Sequence, residues 1–166
     1  MTETVTLCNG TWLRLKRRGR WEYAERTNPG GGVMIIAVTD ADCVLFVEQY
    51  RPALECMTIE MPAGLVGDSL DHSAESATDA AGRELVEETG YAAATIDFIM
   101  EGPTSAGMSN EILAFVRARK LTRVESGGGD ETEDITVHEV PRKDAARWLV
   151  RKMTDGYSVD PKMFAG

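Results

Sequence analysis

Arg83-Glu84-Leu85-Val86-Glu87-Glu88-Thr89-Gly90-Tyr91 is the stretch on which the reading of this 166-residue chain turns. Glu84, Glu87 and Glu88 stand three and four residues apart, a spacing that gathers side chains on one face of an α-helix. Like charges held so close repel by a few tenths of a kcal/mol per i,i+4 pair. A divalent cation would offset that repulsion, and hard cations such as Mg²⁺ take oxygen ligands. Acidic residues near a helix C-terminus also oppose the macrodipole. This helix is expected to stop at Gly90, a typical residue just past a helix end. Arg83 supplies a forked donor able to orient a carboxylate. Spacing alone leaves two readings open: a cation site and a solvated acidic face.

Upstream, Ala77, Ala81 and Leu85 recur at i, i+4 and i+8, and Glu75, Asp79 and Arg83 form a polar row. That periodicity predicts an amphipathic helix over residues 73–89. Gly82 lies inside it, which costs about 0.5–1 kcal/mol against Ala. Close backbone packing is one reason to tolerate it. Short β-rich runs are expected at 33–38, 44–47, 95–100, 112–117 and 135–140, with an extended glycine-punctuated segment over 57–67. An amphipathic helix is expected over 143–153, with Ala145, Trp148 and Leu149 inward.

The first thirty residues alternate apolar and polar around Arg18-Gly19, which predicts a β-hairpin. Asn28-Pro29-Gly30-Gly31-Gly32 marks a boundary between this unit (1–30) and the main domain (31–166). The triple glycine lacks the Lys-Ser/Thr ending of a phosphate loop and reads as a turn. A second glycine-rich run, 125–134, reads as a mobile acidic loop. The apolar tail from Met163 reads as the start of another element. The fold class is α/β (α+β).

A hydrophobic fraction of 43% supplies a core, and the net charge of −9 disfavours nucleic-acid or anionic-membrane partners. The opening residues do not resemble a signal peptide, and no apolar run approaches the roughly 20 residues that span a bilayer. Cys8, Cys43 and Cys56 are odd in number and lack ligand spacing, which suits a reducing, cytoplasmic compartment. They have no base partner in view, so thiol catalysis has little support. His72 and His138 are lone residues and read as structural.

Glu75, seven residues, then Arg83-Glu84-Leu85-x-Glu87-Glu88-x-Gly90-Tyr91 resembles the Nudix box, with Tyr91 in place of the usual aliphatic residue. The box's leading glycine belongs six residues before Glu75, where this chain has Ser69. Gly64 is its expected counterpart, eleven residues upstream, after a five-residue insertion in the intervening loop. Three more segments resemble the branch that cleaves ADP-ribose and nucleoside diphosphate sugars. They are Glu48-Gln49-Tyr50-Arg51-Pro52, Glu60-Met61-Pro62-Ala63-Gly64, and Thr104–Glu111, in which Ala106 replaces the usual proline.

The resemblance implies an α/β/α sandwich with a mixed sheet. It implies a pyrophosphohydrolase releasing a nucleoside monophosphate and a sugar phosphate, and a homodimer sharing the N-terminal unit. It further implies Mg²⁺ or Mn²⁺ held by Glu84, Glu87, Glu88 and the Ala63 carbonyl. Glu75 and Arg83 would orient those carboxylates. The general base would be Glu131 or Glu133, with Glu87 the competitor. Arg51 would meet a phosphate, Glu111 would accept from ribose hydroxyls, and Trp21 would stack on the base. Dinucleoside polyphosphates, nucleoside triphosphates and coenzyme A derivatives are the alternative substrates. A nucleotide-sensing regulator is the non-enzyme alternative, and the intact box carboxylates speak against it.

Overall fold

The structure is a computed structural model that describes residues 2–28, 30–67, 74–129 and 133–164. Three strands, β1 (Thr4–Asn9), β2 (Leu13–Arg18) and β3 (Trp21–Arg26), form an antiparallel N-terminal sheet. The expected hairpin is therefore the second half of a three-stranded unit. Its first strand escapes a period-2 reading because the β1–β2 register shifts between Thr6 and Cys8.

Eight further strands build two mixed sheets. One has the order β7 (Ala63–Leu65), β4 (Gly32–Ala37), β9 (Ile112–Arg123), β8 (Tyr91–Pro103). The other has the order β10 (Thr136–Pro141), β5 (Cys43–Arg51), β6 (Cys56–Glu60), β11 (Ser158–Val159). β4 runs parallel to β9, and β11 runs parallel to β6.

Strand parity explains the layering. Successive side chains of a strand point to opposite faces. Val33, Ile35 and Ala37 of β4 enter one core with Ala80, Ala81 and Leu85 of helix α1 (Ala77–Thr89). Met34, between them, enters a second core with Phe46, Ile59 and Leu149 of helix α2 (Ala145–Thr154). Burial on both faces is why β4 reads as an unbroken apolar run. The two helices thus cover opposite faces of the sheet layer, which is the expected sandwich.

Helix α1 starts four residues later than the periodicity suggests. The Ser76 hydroxyl accepts from the Asp79 N–H at 3.2 Å, and the Asp79 carboxylate accepts from the Ser76 N–H at 3.3 Å. This reciprocal cap fixes the first turn. Gly90 closes the helix with φ +76°. β5, β8 and β9 all outrun the apolar runs that signalled them. Glu48 to Arg51 continue β5 in register with β6, yet they are polar. β8 and β9 pair from Tyr91↔Arg123 to Pro103↔Ile112 and carry the loop 104–111 at their tip.

A 3₁₀ turn over Pro161–Phe164 seats Met163 in the second core. Among the described residues, no helix is long and apolar enough to cross a membrane.

Candidate active site

The box helix lays its carboxylates against β7. Glu84 and Glu88 are buried, at 9% and 3% exposure, and Glu87 lies at the more open rim. The Glu88 carboxylate accepts the Ala63 N–H at 3.0 Å. Gly64, the next residue, leaves room for Glu84: a Cβ there would fall 1.9 Å from the Glu84 carboxyl carbon. Gly64 thus meets the box directly, although its offset in sequence from Glu75 is longer than the box pattern. The loop's described ends close on each other, since Glu75 accepts the Gly67 N–H at 2.9 Å. Residues 68–73, His72 among them, lie outside the described residues.

Arg83 ties this array together. Its Nη2 donates to Glu75 at 3.0 Å and to the Leu65 carbonyl at 3.1 Å. Its Nη1 donates to Glu84 at 2.9 Å and to Glu87 at 3.5 Å. One guanidinium therefore links the Glu75 side chain to two box carboxylates, as bidentate arginine geometry allows.

A cavity of about 470 Å³ opens above these groups. Seven acidic side chains line it, Glu60, Glu84, Glu87, Glu88, Glu111, Glu133 and Asp160, against four basic ones, Arg26, Arg51, Arg83 and Lys162. Burial pushes the Glu88 carboxyl up to about 9, against the Ala63 N–H, and the charges of Glu84 and Glu133 add to the rise. At neutral pH that carboxyl keeps its proton unless a cation draws the charge out. Among the described residues, no three acidic, histidine or cysteine side chains already converge at coordination spacing. The guanidinium of Arg83 sits between Glu84 and Glu87 instead. The donor set, buried carboxylate oxygens that repel each other, nonetheless fits a hard cation.

Arg51 lines the cavity but is engaged by Glu60 in a two-pronged pair, Nε to Oε1 at 2.8 Å and Nη2 to Oε2 at 2.7 Å. The Glu60 bond holds the guanidinium above its ordinary pKa. Burial would raise the Glu60 carboxyl, but the bonds from Arg51 and Thr58 outweigh it and hold it low. Glu111 also lines the cavity, paired with Arg26 and accepting from the Thr104 hydroxyl at 3.1 Å.

Trp21 does not reach the carboxylates. It borders a separate cavity of about 420 Å³ with Tyr23, Ala106 and Asn110. The cause is strand length: Trp21 begins β3 and Arg26 ends it, roughly 17 Å along the strand at about 3.3 Å per residue. His138 lies away from the cavity, 2.8 Å from Glu48, which also accepts from Lys152 at 2.8 Å. That network joins β10 and β5 to α2.

The described flank of the second glycine-rich loop is a clamp on the box helix. Gly128 donates to the Glu88 carbonyl at 2.9 Å, and Gly129 donates to the Glu87 carbonyl at 3.1 Å. These are orphan carbonyls of a helix end. Gly127 adopts φ +69° against the Thr89 backbone. The expectation of a mobile loop is thus corrected for residues 125–129. Residues 130–132, and with them Glu131, lie outside the described residues. Glu133 lines the carboxylate cavity. Arg26, Glu60, Asp160 and Lys162 are the charged lining residues that pattern reading did not single out. Only Glu60 carried a signal, inside the Glu-x-Pro-Ala-Gly segment.

The NUDIX domain pattern matches residues 28–157. The chain belongs to the Nudix family. It is 33% identical over 135 residues to a methanol dehydrogenase activator of Bacillus methanolicus, covering 81% of this chain and 70% of that one. It is 36% identical over 132 residues to an ADP-ribose pyrophosphatase of Bacillus subtilis (strain 168), covering 78% and 68%. A solved structure described as an ADP compounds hydrolase superposes with a TM-score of 0.69 at 21% identity, over 93% of this chain and 92% of the other, and shares the fold. This chain is accordingly a Nudix hydrolase of the ADP-ribose pyrophosphatase-like kind. Of its box residues, Arg83, Glu84, Glu87 and Glu88 border the carboxylate cavity, and Glu75 braces Arg83.

Proposed function

We propose that this Nudix hydrolase cleaves the pyrophosphate bond of ADP-ribose or a related nucleoside diphosphate sugar, releasing a nucleoside monophosphate and a sugar phosphate. The observation that carries the reading is the buried Glu84–Glu88 pair, one helix turn apart on the floor of an acid-rich cavity. Glu84, Glu87, Glu88 and the Ala63 carbonyl would hold Mg²⁺ or Mn²⁺. When bound, such a cation withdraws charge from the diphosphate and acidifies water.

The chain's own residues do the rest. Arg83, braced by Glu75, positions Glu84 and Glu87. Arg51 carries positive charge into the cavity, and Glu111 is available to ribose hydroxyls. Glu133 is the favoured general base, taking a proton from the water whose oxygen bonds to phosphorus as the bridging P–O bond breaks. Its place in the cavity supports that role; Glu131, outside the described residues, and Glu87 remain the competitors.

The N-terminal unit is proposed as the homodimer contact. Val5, Leu13 and Leu15 are exposed at 41%, 50% and 41%, and the strand register sets them on one face. A cytoplasmic location and a free nucleotide-sugar substrate complete the proposal.

The test is a phosphate-release screen over nucleotide sugars, dinucleoside polyphosphates, nucleoside triphosphates and coenzyme A derivatives, with Mg²⁺ and with Mn²⁺. The reading requires ADP-ribose or another nucleotide sugar to lead by kcat/KM. It also requires Glu133→Gln to lose about 10²–10⁴-fold in kcat, the usual worth of a general base. A leading triphosphate or dinucleotide would replace the substrate. A large loss confined to Glu87→Gln would move the base into the box.

A further inference from the structure

The connection from β9 to β10 carries Glu133, and its two ends are tied to each other. Arg123 ends β9 and pairs in register with Tyr91, which fills the last position of the box. The Arg123 guanidinium lies 5.8 Å from the centre of the Tyr91 ring. The Tyr91 hydroxyl donates to Oε1 of Glu139, on β10, at 2.5 Å, and Arg123 Nη1 lies 3.9 Å from that oxygen. The strands on both sides of the loop and the end of the box helix therefore meet at one carboxylate. An aliphatic residue, usual at this position of the box, could not make that bond.

Arg123 also reaches into the loop. Its Nε donates to the Glu125 carbonyl at 3.3 Å and its Nη2 to the Ser126 carbonyl at 3.4 Å. Just beyond, Gly128 and Gly129 grip the carbonyls of Glu88 and Glu87, and the Ile135 N–H donates back to the Gly128 carbonyl at 3.1 Å. Gly129 lies against Glu133: a Cβ there would fall 2.7 Å from the Glu133 Cβ and 2.8 Å from its Oε2. Where the glycine backbone lies thus sets where that carboxylate can lie. Each arginine contact is long, and an ion pair between exposed groups contributes little. The hydroxyl–carboxylate bond, backed by the buried Tyr91 ring, is the fixed point.

We propose that Tyr91, Glu139 and Arg123 form a buckle at the neck of this loop, and that the buckle positions Glu133 in the carboxylate cavity. All three are positioning residues, since none of them borders that cavity. This rests on Glu133 as the general base in the pyrophosphatase reading above.

Amide exchange followed by NMR on the full chain reads the loop without any substrate. Tyr91→Phe keeps the buried ring and loses the hydroxyl. Arg123→Met keeps the stem beside the ring and loses the donors. Each should speed exchange at Gly128 and Gly129, relative to the amides of β4, by about two- to tenfold, the worth of one hydrogen bond. In kinetics with Mg²⁺ and ADP-ribose, kcat should fall by a similar factor while KM stays within about twofold. Arg123→Lys should recover part of the Arg123→Met loss. In a Glu133→Gln background the same substitutions should cost little further kcat, because they act through one carboxylate.

Exchange at the two glycines changed by less than about twofold, or raised equally in β4, overturns the proposal. So do kcat losses as large in the Glu133→Gln background as in wild type, which a merely structural role would give. If another substrate leads the screen, the cycle is run on that substrate, and only the ADP-ribose assignment fails. If Glu133→Gln keeps wild-type kcat, the base reading has failed, and faster exchange at the two glycines still leaves the buckle standing as the anchor of the loop.

Discussion

Gly64→Ala tests whether the box carboxylates and the β7 backbone form one unit. The new Cβ would fall 1.9 Å from the Glu84 carboxyl carbon, 2.1 Å from Oε1 and 2.4 Å from Cγ. Glu84 has to swing out and give up its 2.9 Å bond from Arg83. Losing a hydrogen bond between charged groups costs about 1.5–3 kcal/mol. The smaller entropy of an alanine chain when unfolded returns about 0.4–1 kcal/mol. The net loss, about 1–2 kcal/mol, is small beside a typical stability of roughly 5–15 kcal/mol. The variant should stay folded, with Tm lower by about 2–8 °C. Activity should suffer far more. Displacing a proposed cation ligand should exceed the 10–100-fold typical of outer-shell disturbances, so kcat/KM for ADP-ribose falls by about a hundredfold or more. The assay is a double-mutant cycle with Glu84→Gln, by thermal melting and steady-state kinetics. If both substitutions act through one carboxylate, Gly64→Ala costs little further activity in the Glu84→Gln background. Losses that multiply, or a Gly64→Ala enzyme keeping over half its kcat/KM, would refute the reasoning.

Other outcomes follow from the same geometry. Gly82 has no close neighbour that needs its missing side chain, since a Cβ there would meet only Ile96 Cδ1 at 3.5 Å. Gly82→Ala should therefore stabilise by about 0.5–1 kcal/mol, read as a Tm increase, and a decrease would contradict the packing. Gly127→Ala sets a Cβ 2.4 Å from the Thr89 carbonyl carbon at φ +69°. Backbone cannot yield as a side chain can, so a loss of about 1–3 kcal/mol is expected in melting experiments. For pH, burial holds Glu88 at about 9, above its ordinary carboxyl value of 4.5. A raised acid stabilises the folded state fully below the unfolded value and loses that contribution as pH climbs towards the folded one. With chelator present, Tm should fall between about pH 5 and pH 9, and Mg²⁺ should raise Tm more at the alkaline end, where it need not displace a proton. A Mg²⁺-induced shift larger at the acid end would contradict this.

Much of the architecture was legible because apolar periodicity marks buried faces. β4 and α1 follow directly from it. What the pattern could not show has physical reasons. Arg51 of β5 lines the site and Glu48 joins His138 and Lys152, so the polar run Glu48 to Arg51 looks like loop and is strand. Helix α1 begins where Ser76 and Asp79 cap it, about one turn later than the periodicity suggested. Gly127 to Gly129 look like a flexible linker, yet their positive φ angles let backbone N–H groups reach the carbonyls of Glu87 and Glu88. The box residues were recognisable by spacing, since i,i+4 neighbours are local. Arg26 was not, because its meeting with Glu111 joins residues 85 apart and depends on how the N-terminal sheet docks on the 104–111 loop. That Trp21 borders a cavity separate from the carboxylates was hidden for the same reason.

The most direct test of the central claim is ADP-ribose turnover by wild type and Glu88→Gln, with both products quantified by phosphorus NMR and folding checked by Tm. The account predicts equal amounts of AMP and ribose 5-phosphate from wild type with Mg²⁺, none with chelator, and near-complete loss in a folded Glu88→Gln. Wild-type turnover by Glu88→Gln, or turnover indifferent to chelator, would contradict it.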